Sequence, residues 1–347
     1  MKFSRASLLA WLVLAGPAIS TGPALADPLT QAAQPSALAA QRLINGVAYA
    51  GAHRLVAVGQ RGHILWSDDA GQHWTQAQVP VSSDLTALQF VDASHGFAVG
   101  HDGVVLGSRD GGMSWQLLLD GRRLNALVLE QLQALDASRP ELLAEARRNV
   151  EAGPDKPLLG LWFSNAQEGF VVGAYNLILR TADGGKSWQS WFDRTDNPRL
   201  LNLYAIGSQG DTLFIAGESG LLLRLAPQTQ RFEALASPYK GSFFGLQSTP
   251  AGLLAYGMRG HAFLNPDAGR SWQALNTGLA ASITAAALGK DGQILLIDQG
   301  GRIAQSRDGA ASFQRLNPQP STPAAALALV PGGLVVGGPR GLRVVTP

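Results

Sequence analysis

Short apolar segments separated by glycine and aspartate recur along the whole chain. A typical unit has one apolar stretch, then two more joined by a Gly-containing turn, as in "FAVGHDGVVLGS" from Phe97 to Ser108, and then a polar turn that ends in an aromatic residue. Alternating and continuous apolar runs bounded by Gly and Asp are typical of β-strands. The pattern therefore predicts a chain built from units of short strands.

The unit repeats about every 40 residues, which is the length of a four-stranded propeller blade. An apolar stretch upstream of each paired segment fits an innermost strand, so each unit is expected to hold strands A to D from the axis outward. The paired segment occurs seven times, starting at Val56, Phe97, Phe170, Phe214, Leu254, Leu295 and Leu334. The expected fold is all-β, a seven-bladed β-propeller over residues 43–347.

The seventh unit ends soon after its third strand, at Pro347. An outer edge without its fourth strand would expose unpaired backbone groups. We therefore expect the N-terminal segment, residues 27–42, to close the last blade, with Ser36–Arg42 folding back as its outer strand.

The polar turn reads S-x-D-x-G-x-x-W in its full form, as in "SRDGGMSW" from Ser108 to Trp115. Its Asp can accept hydrogen bonds from backbone N–H groups of the turn, its Gly permits a backbone conformation that other residues resist, and its aromatic ring can pack between blades. Because the copies lie at different places around the ring, they cannot converge on one substrate. We interpret the motif as structural, with Asp69, Asp110, Asp183, Asp267, Asp308, Trp74, Trp115, Trp188 and Trp272 as its residues.

This turn resembles the Asp-box, or BNR repeat, of sialidases and related propellers. With its seven units and G-x-x-G turns, the chain from about residue 43 to 345 is similar to the photosystem II stability/assembly factor family. The resemblance implies a non-catalytic accessory protein that holds intermediates in the assembly of a membrane complex. The chain departs from this pattern by about 32 additional residues between the second and third units.

The face that carries the B–C turns and D–A connections is where the units differ most. Arg occupies the third position of three B–C turns, and its guanidinium can bind carboxylates through paired hydrogen bonds. The alternative is that these Arg side chains only solvate exposed turns. The residues predicted to contact a partner are Arg61, Arg259, Arg302, Arg340, Tyr175 and Asp102. Arg340 and Arg61 should be neighbours, since blades 7 and 1 meet in a closed ring.

The additional residues, about 120–156, are predicted to form a helical hairpin on the same face. Apolar residues recur at helical spacing from Leu124 to Leu135, and Ser138–Glu141 has the sequence of a helix start. Leu142, Ala146 and Val150 continue the apolar stripe. This stripe either buries against the propeller or forms a wall for a partner.

Charge and targeting signals narrow the classes of function. Residues 1–26 have the basic start, short apolar core and small residues of a cleavable Sec-type signal peptide, which predicts a periplasmic protein. Their removal leaves equal numbers of basic and acidic residues, so a nucleic-acid partner is not expected. No later apolar run approaches a membrane span, and no cofactor or metal site is expected.

Two functions remain from the sequence. The first is a periplasmic protein-binding platform or assembly factor, with a membrane protein or its exported segment as partner; an envelope transporter would be the client in a non-photosynthetic host. The alternative is a sialidase-like glycosidase, which would need an Arg trio, a Tyr nucleophile backed by Glu, and an acid. Arg61, Arg259, Arg340, Tyr175, Glu218 and Asp102 are the candidates for those roles.

Overall fold

A computed structural model describes residues 27–134, 140–316 and 321–346. The predicted seven-bladed β-propeller is confirmed: the described residues form six four-stranded antiparallel sheets and one three-stranded sheet. In each sheet the strands follow chain order from the axis outward. The signal peptide predicted at residues 1–26 lies outside the described residues.

The strands are numbered in chain order, four to a blade and three in the last. Blades 1 and 2 contain β1–β8: Ile44–Ala50, Arg54–Gly59, Ile64–Ser67, Thr75–Gln76, Leu85–Phe90, Gly96–Gly100, Val105–Ser108 and Gln116–Leu119. Blades 3 and 4 contain β9–β16: Leu158–Phe163, Gly169–Gly173, Ile178–Thr181, Gln189–Ser190, Leu203–Gln209, Thr212–Gly217, Leu222–Ala226 and Arg231–Ala234. Blades 5 to 7 contain β17–β27: Phe243–Thr249, Gly252–Gly257, Ala262–Asn265, Gln273–Leu275, Ile283–Leu288, Ile294–Asp298, Ile303–Ser306, Gln314–Leu316, Ala326–Val330, Gly333–Gly338 and Gly341–Val345.

The core lies between the blades. The second strands are buried along all of their length, as in β6 and β22, or all but the first residue, as in β2, because neighbouring blades cover both of their faces. This is why they appear in the sequence as continuous apolar runs rather than as alternating ones.

The prediction that Ser36–Arg42 supplies an outer strand to blade 7 is wrong. Ala39–Gln41 form a 3₁₀ turn, in which the Ala39 amide donates to the Ser36 carbonyl at 3.1 Å and the Arg42 amide to the Ala39 carbonyl at 3.2 Å. These local bonds occupy backbone groups that strand pairing would need. The turn packs against Leu342 of β27, so it covers the last blade without extending the sheet.

The ring is closed by packing of β1 and β2 against the inner strands of blade 7. Leu55 shares an apolar cluster with Ala328 and Val335. The Tyr49 hydroxyl donates to the Leu329 carbonyl at 2.8 Å. Side chains rather than a shared sheet therefore join the first and last blades.

The N-terminal segment continues across blade 1. The Ala33 amide donates to the Val79 carbonyl at 3.0 Å, and the Ser82 amide donates to the Pro28 carbonyl at 2.8 Å. At its start, Asp27 forms an ion pair with Arg122 at 2.6 Å. The segment thus links blades 7 and 1 to the residues inserted after blade 2.

The predicted helical hairpin is confirmed as α1, Gly121–Ala134, and α2, Pro140–Ala152. The Asp120 carboxylate accepts a hydrogen bond from the Arg123 amide at 3.0 Å, which caps the start of α1. Asn125 is buried and donates to the carbonyls of Asn149 and Gly153, so it fixes α1 against the end of α2. Leu135 and Ser138 fall outside the described residues.

The apolar stripe of α1 is buried against the propeller. Leu124, Val128 and Leu132 share a cluster with Leu158 of blade 3. On α2, Ala146 is buried in the same cluster, whereas Val150 is 44% exposed. The hairpin is therefore anchored as part of the fold, and only the outer side of α2 faces away from it.

Candidate partner-binding face

The Asp-box turns are held together by their own hydrogen bonds. In blade 2 the Asp110 carboxylate accepts from the Ser114 amide at 3.0 Å and from the Ser114 hydroxyl at 2.6 Å. The Ser108 hydroxyl donates to the same carboxylate at 2.9 Å and accepts from the Gly112 amide at 2.9 Å. The Asp and Ser side chains of this motif are thus engaged in holding the turn in shape.

The aromatic residue of each motif packs against the preceding blade. Trp74 of blade 1 shares an apolar cluster with Val335 of blade 7. Trp115 is buried in a cluster with Val56 of blade 1, and its amide donates to the Gln78 carbonyl at 2.9 Å. The motif therefore builds the interfaces between blades.

The opposite face carries the B–C turns. In five blades this turn is a single 3₁₀ turn whose middle residue has a left-handed backbone, with φ between 51° and 56°. A non-glycine residue rarely adopts this conformation. The five residues are Arg61, Asp102, Tyr175, Ser219 and Arg259.

The left-handed backbone lets the turn bond to the next blade. The Arg61 amide donates to the Asp84 carboxylate at 2.7 Å, just before strand A of blade 2. The Tyr175 amide donates in the same way to the Asn202 side chain at 2.9 Å, before blade 4. The Arg259 amide lies 3.4 Å from the Ser282 hydroxyl, before blade 6. The side chains of Arg61, Tyr175 and Arg259 are thereby exposed on this face.

The six residues predicted to contact a partner differ in how available they are. Arg61, Arg259 and Arg340 are exposed, and none of them forms an ion pair within the described chain. Tyr175 is 56% exposed, and the Lys156 ammonium lies 5.6 Å from its ring centroid.

Arg302 and Asp102 are engaged within the protein. Arg302 pairs with the buried Asp298 carboxylate at 2.8 Å, and that carboxylate also accepts the Gly300 amide. Asp102 accepts a hydrogen bond from the Ser83 hydroxyl at 2.6 Å. Arg302 therefore holds the sixth turn in shape, a role that its position in the sequence did not indicate.

The four Arg residues of the turns lie on consecutive blades. Blades 5, 7 and 1 contribute the exposed Arg259, Arg340 and Arg61, and we call these three the basic arc; Arg302 of blade 6 lies between them and is paired with Asp298. Arg42 adjoins it, because Arg42 and Arg61 line one cavity of about 660 Å³ beneath the N-terminal segment. Burial lowers the pKa of His63 in the wall of this cavity, so the positive charge there comes from the guanidinium groups.

A ring of side chains at the mouth of the central channel was not predicted from the sequence. In six blades the inner strand has a β-bulge at its second residue, where the pairing register with strand B shifts. The six bulge residues line one cavity of about 450 Å³, and they are Asn45, Thr86, Leu159, Tyr204, Phe244 and Thr284. They differ in polarity from blade to blade, so no repeat in the sequence marks them.

Two of the candidate glycosidase residues, Tyr175 and Glu218, both bond to Asn202. Glu218 accepts hydrogen bonds from the Asn202 amide and side chain at 3.2 and 3.1 Å, and no hydrogen bond joins it to Tyr175 in the part of the chain that the structure describes. Nor do the described residues contain a cluster of three or more His, Asp or Glu side chains placed to hold a metal ion. The fold and this face define a seven-bladed Asp-box propeller with a basic, outward-facing rim.

The sequence model of the photosynthesis system II assembly factor YCF48 family matches residues 3–107, 68–131 and 140–302. These matches cover most of the chain, and the protein belongs to this family. No helix in the described ranges is long and apolar enough to cross a membrane.

The names of similar proteins match this family. The photosystem II assembly lipoprotein Ycf48 of Synechococcus sp. (strain CC9902) is 28% identical over 132 residues, 36% of this chain and 38% of that protein. The photosystem II assembly protein Ycf48 of Thermosynechococcus vestitus is 24% identical over 263 residues, 70% of this chain and 74% of that protein. The chain thus spans little more than a third of the first relative's length. A solved structure described as YCF48 bound to D1 peptide has a TM-score of 0.62 at 17% identity, covering 93% of this chain and 98% of that one.

Proposed function

We propose that this protein is a non-catalytic, periplasmic binding platform that holds an exported segment of a membrane protein during assembly of its complex. The observation that carries the proposal is the basic arc: Arg61, Arg259 and Arg340 are exposed on one face and form no ion pair within the described chain. The family contains assembly factors, and one structurally similar protein, YCF48, is described as bound to D1 peptide. A peptide partner is therefore the class of ligand that both observations favour.

The arc is suited to carboxylates. Guanidinium groups bind carboxylates through paired, charge-assisted hydrogen bonds. The turns that present Arg61 and Arg259 are bonded to the next blade through their amides, so little backbone freedom is lost when a partner binds. The partner segment should carry acidic side chains or end in a free carboxylate. Its binding should weaken as salt is raised, because exposed charges are screened.

The proposed location is supported by the sequence of residues 1–26, and the proposed client by the family. A cleavable Sec-type leader would deliver the propeller to the periplasm, where a membrane protein exposes its loops and termini. In a photosynthetic host the client would be a photosystem II subunit. In a non-photosynthetic host an envelope transporter is the proposed client.

A sialidase-like activity is less well supported. Those enzymes are six-bladed, whereas the described chain forms seven sheets. The candidate nucleophile Tyr175 has no hydrogen bond to Glu218 among the described residues, and Tyr nucleophiles need such a partner.

The test is crosslinking in cells, followed by capture of the tagged protein from solubilised envelope and mass spectrometry. We expect one membrane protein to be recovered with wild type and lost when Arg61, Arg259 and Arg340 are all changed to Ala. The matched control changes Arg109, Arg270 and Arg307, which are exposed in the Asp-box turns on the opposite face. Both variants lose the same charge, so equal loss of partner would reject the basic arc as the binding site. Recovery of no specific partner with wild type would reject the proposed function.

A further inference from the structure

The bulge residues of the inner strands are aimed at the central axis. A β-bulge adds one residue to a strand and redirects its side chain. In blade 5, Phe243 pairs with Gly257 and Gly245 pairs with Tyr256, which leaves Phe244 without a partner residue. The same shift occurs at Asn45, Thr86, Leu159, Tyr204 and Thr284, and all six side chains reach the mouth of the channel.

The three polar members of this ring have a structural role. The Asn45 side chain donates to the Leu85 carbonyl at 2.8 Å, and the Thr86 hydroxyl donates to the Leu158 carbonyl at 2.7 Å. The Thr284 hydroxyl donates to the Ala324 carbonyl at 3.0 Å. Each bond joins the inner strand of one blade to the inner strand of the next blade or, at Ala324, to the residues just before it. The side chains of these three residues therefore help to hold neighbouring blades together.

The side chains of the three apolar members form no hydrogen bond of this kind within the described chain, although the contact between Tyr204 and Phe244 also joins blades 4 and 5. Leu159, Tyr204 and Phe244 belong to consecutive blades, 3 to 5, and the Tyr204 and Phe244 rings meet edge to face with centroids 5.7 Å apart. All three remain partly exposed in the open mouth. Apolar surface that faces water is unfavourable, and its burial by a ligand would release that cost. We call these three residues the apolar half of the mouth.

The apolar half is continuous with the basic arc. Phe244 and Arg259 are in the same blade, and the Met258 amide, next to Arg259, donates to the Ser242 carbonyl at 3.0 Å. The turn that carries the first Arg of the arc therefore begins beside the strand that carries Phe244. A segment seated on the arc can place a neighbouring side chain in the mouth.

We propose that the apolar half of the mouth is a pocket for one large aliphatic or aromatic side chain of a segment whose acidic groups bind the basic arc. This inference rests on the proposed function and adds to it the chemistry of the partner. The segment would be acidic and would contain a single large apolar residue next to its acidic residues. The acidic residues of the segment would be attracted to the Arg side chains of the arc. The apolar residue would fix the position of the segment on this face.

The test uses two short peptides, both capped at their ends, that carry several Asp residues and differ only in one central Phe or Ser. Binding to the mature protein is measured by calorimetry at low salt. We expect the Phe peptide to bind about tenfold more tightly, as burial of one aromatic side chain implies. Phe244→Ala should remove this preference while weak binding of both peptides persists.

The control variant is Leu288→Ala. Leu288 ends the inner strand β21 at the opposite end of the channel and is 38% exposed, so its loss removes a similar apolar group from another place. Circular dichroism checks that both variants fold. Equal binding of the two peptides to wild type would overturn the proposal of a pocket. A preference for the Phe peptide that persists in Phe244→Ala would overturn it as well.

The crosslinking experiment separates this inference from the proposed function. A partner that is lost with the triple Arg variant but recovered unchanged with Phe244→Ala would leave the platform standing and reject the pocket. A partner lost with both, and kept with Leu288→Ala, supports the pocket. If wild type captures no partner, the platform fails, and the peptide preference alone decides whether the mouth binds an apolar side chain.

Discussion

Phe232 tests whether packing, rather than turn chemistry, fixes the outer edge of a blade. It lies in blade 4, whose turn lacks the Asp and Gly of the motif, yet its ring is fully buried. The ring meets Phe170 and Trp191 of blade 3 edge to face, with centroids 5.8 and 6.2 Å apart. The packing between blades 3 and 4 at this point therefore depends on the Phe232 ring.

Phe232→Ala should lower the free energy of unfolding by about 4 kcal/mol. Loss of a buried Phe ring costs about 3–5 kcal/mol, since the removed atoms lose their burial and a cavity remains. The two aromatic contacts each add about 0.5–1.5 kcal/mol to the burial term, which favours the upper half of that range. Phe232→Leu keeps most of the volume and should cost less than half as much, about 1.5 kcal/mol.

The comparison is with Asp183→Asn in the complete Asp-box turn of blade 3. The Asp183 carboxylate accepts from the Ser187 amide at 2.9 Å and from the Ser187 hydroxyl at 2.6 Å. Asn keeps one acceptor, so the loss should be about 1 kcal/mol. Urea unfolding followed by tryptophan fluorescence and far-UV circular dichroism gives both values. If Phe232→Ala cost no more than Asp183→Asn, the priority given to packing would be refuted.

Two further predictions concern stability. The Ser312 hydroxyl and amide, with the Ser306 hydroxyl, lower the pKa of Asp308 from 3.8 to about 2, so its contribution is present above pH 3.8 and is lost as the pH falls towards 2. Asp308→Asn should therefore reduce the fall in melting temperature between pH 3.8 and 2. If the variant lost as much melting temperature over this range as wild type, the prediction would be contradicted. Gly260→Ala should cost more than about 2 kcal/mol in thermal unfolding, since a Cβ there would lie 1.9 Å from the Leu279 carbonyl at φ +74°. Gly210→Ala, at φ +56° with open space around it, is the control for backbone strain alone and should cost about 1 kcal/mol.

The number and order of the blades could be predicted because both depend on local sequence. Each Asp-box turn closes with its own hydrogen bonds, as at Asp110, and each second strand is buried whichever blade it belongs to. The helical hairpin was also predictable, since its apolar spacing is local. The structure defines the start of α1, which the Asp120 carboxylate caps.

Features that depend on distant partners could not be predicted. The N-terminal segment pairs Ala33 with Val79, and nothing in the local sequence favours that contact over pairing with blade 7. The pairing of Arg302 with the buried Asp298 could not be predicted, because the sequence shows Arg302 only as a residue of a glycine-containing turn. The bulges at Tyr204 and Phe244 are set by register between strands, which apolar periodicity does not encode.

The B–C turns give an independent reason to place the binding site on their face. In five blades a non-glycine residue has φ between 51° and 56°, a conformation that costs about 1–2 kcal/mol for a residue with a Cβ. The bond to the next blade is made by the backbone amide, as at Arg61 and Tyr175, so Gly would make the same bond without that cost. Asp102 accepts a hydrogen bond from the Ser83 hydroxyl, whereas the exposed Arg61 and Arg259 side chains form no ion pair within the described chain. Residues held in strained conformations cluster at functional sites, and two of the five left-handed turns present an exposed Arg, at Arg61 and Arg259.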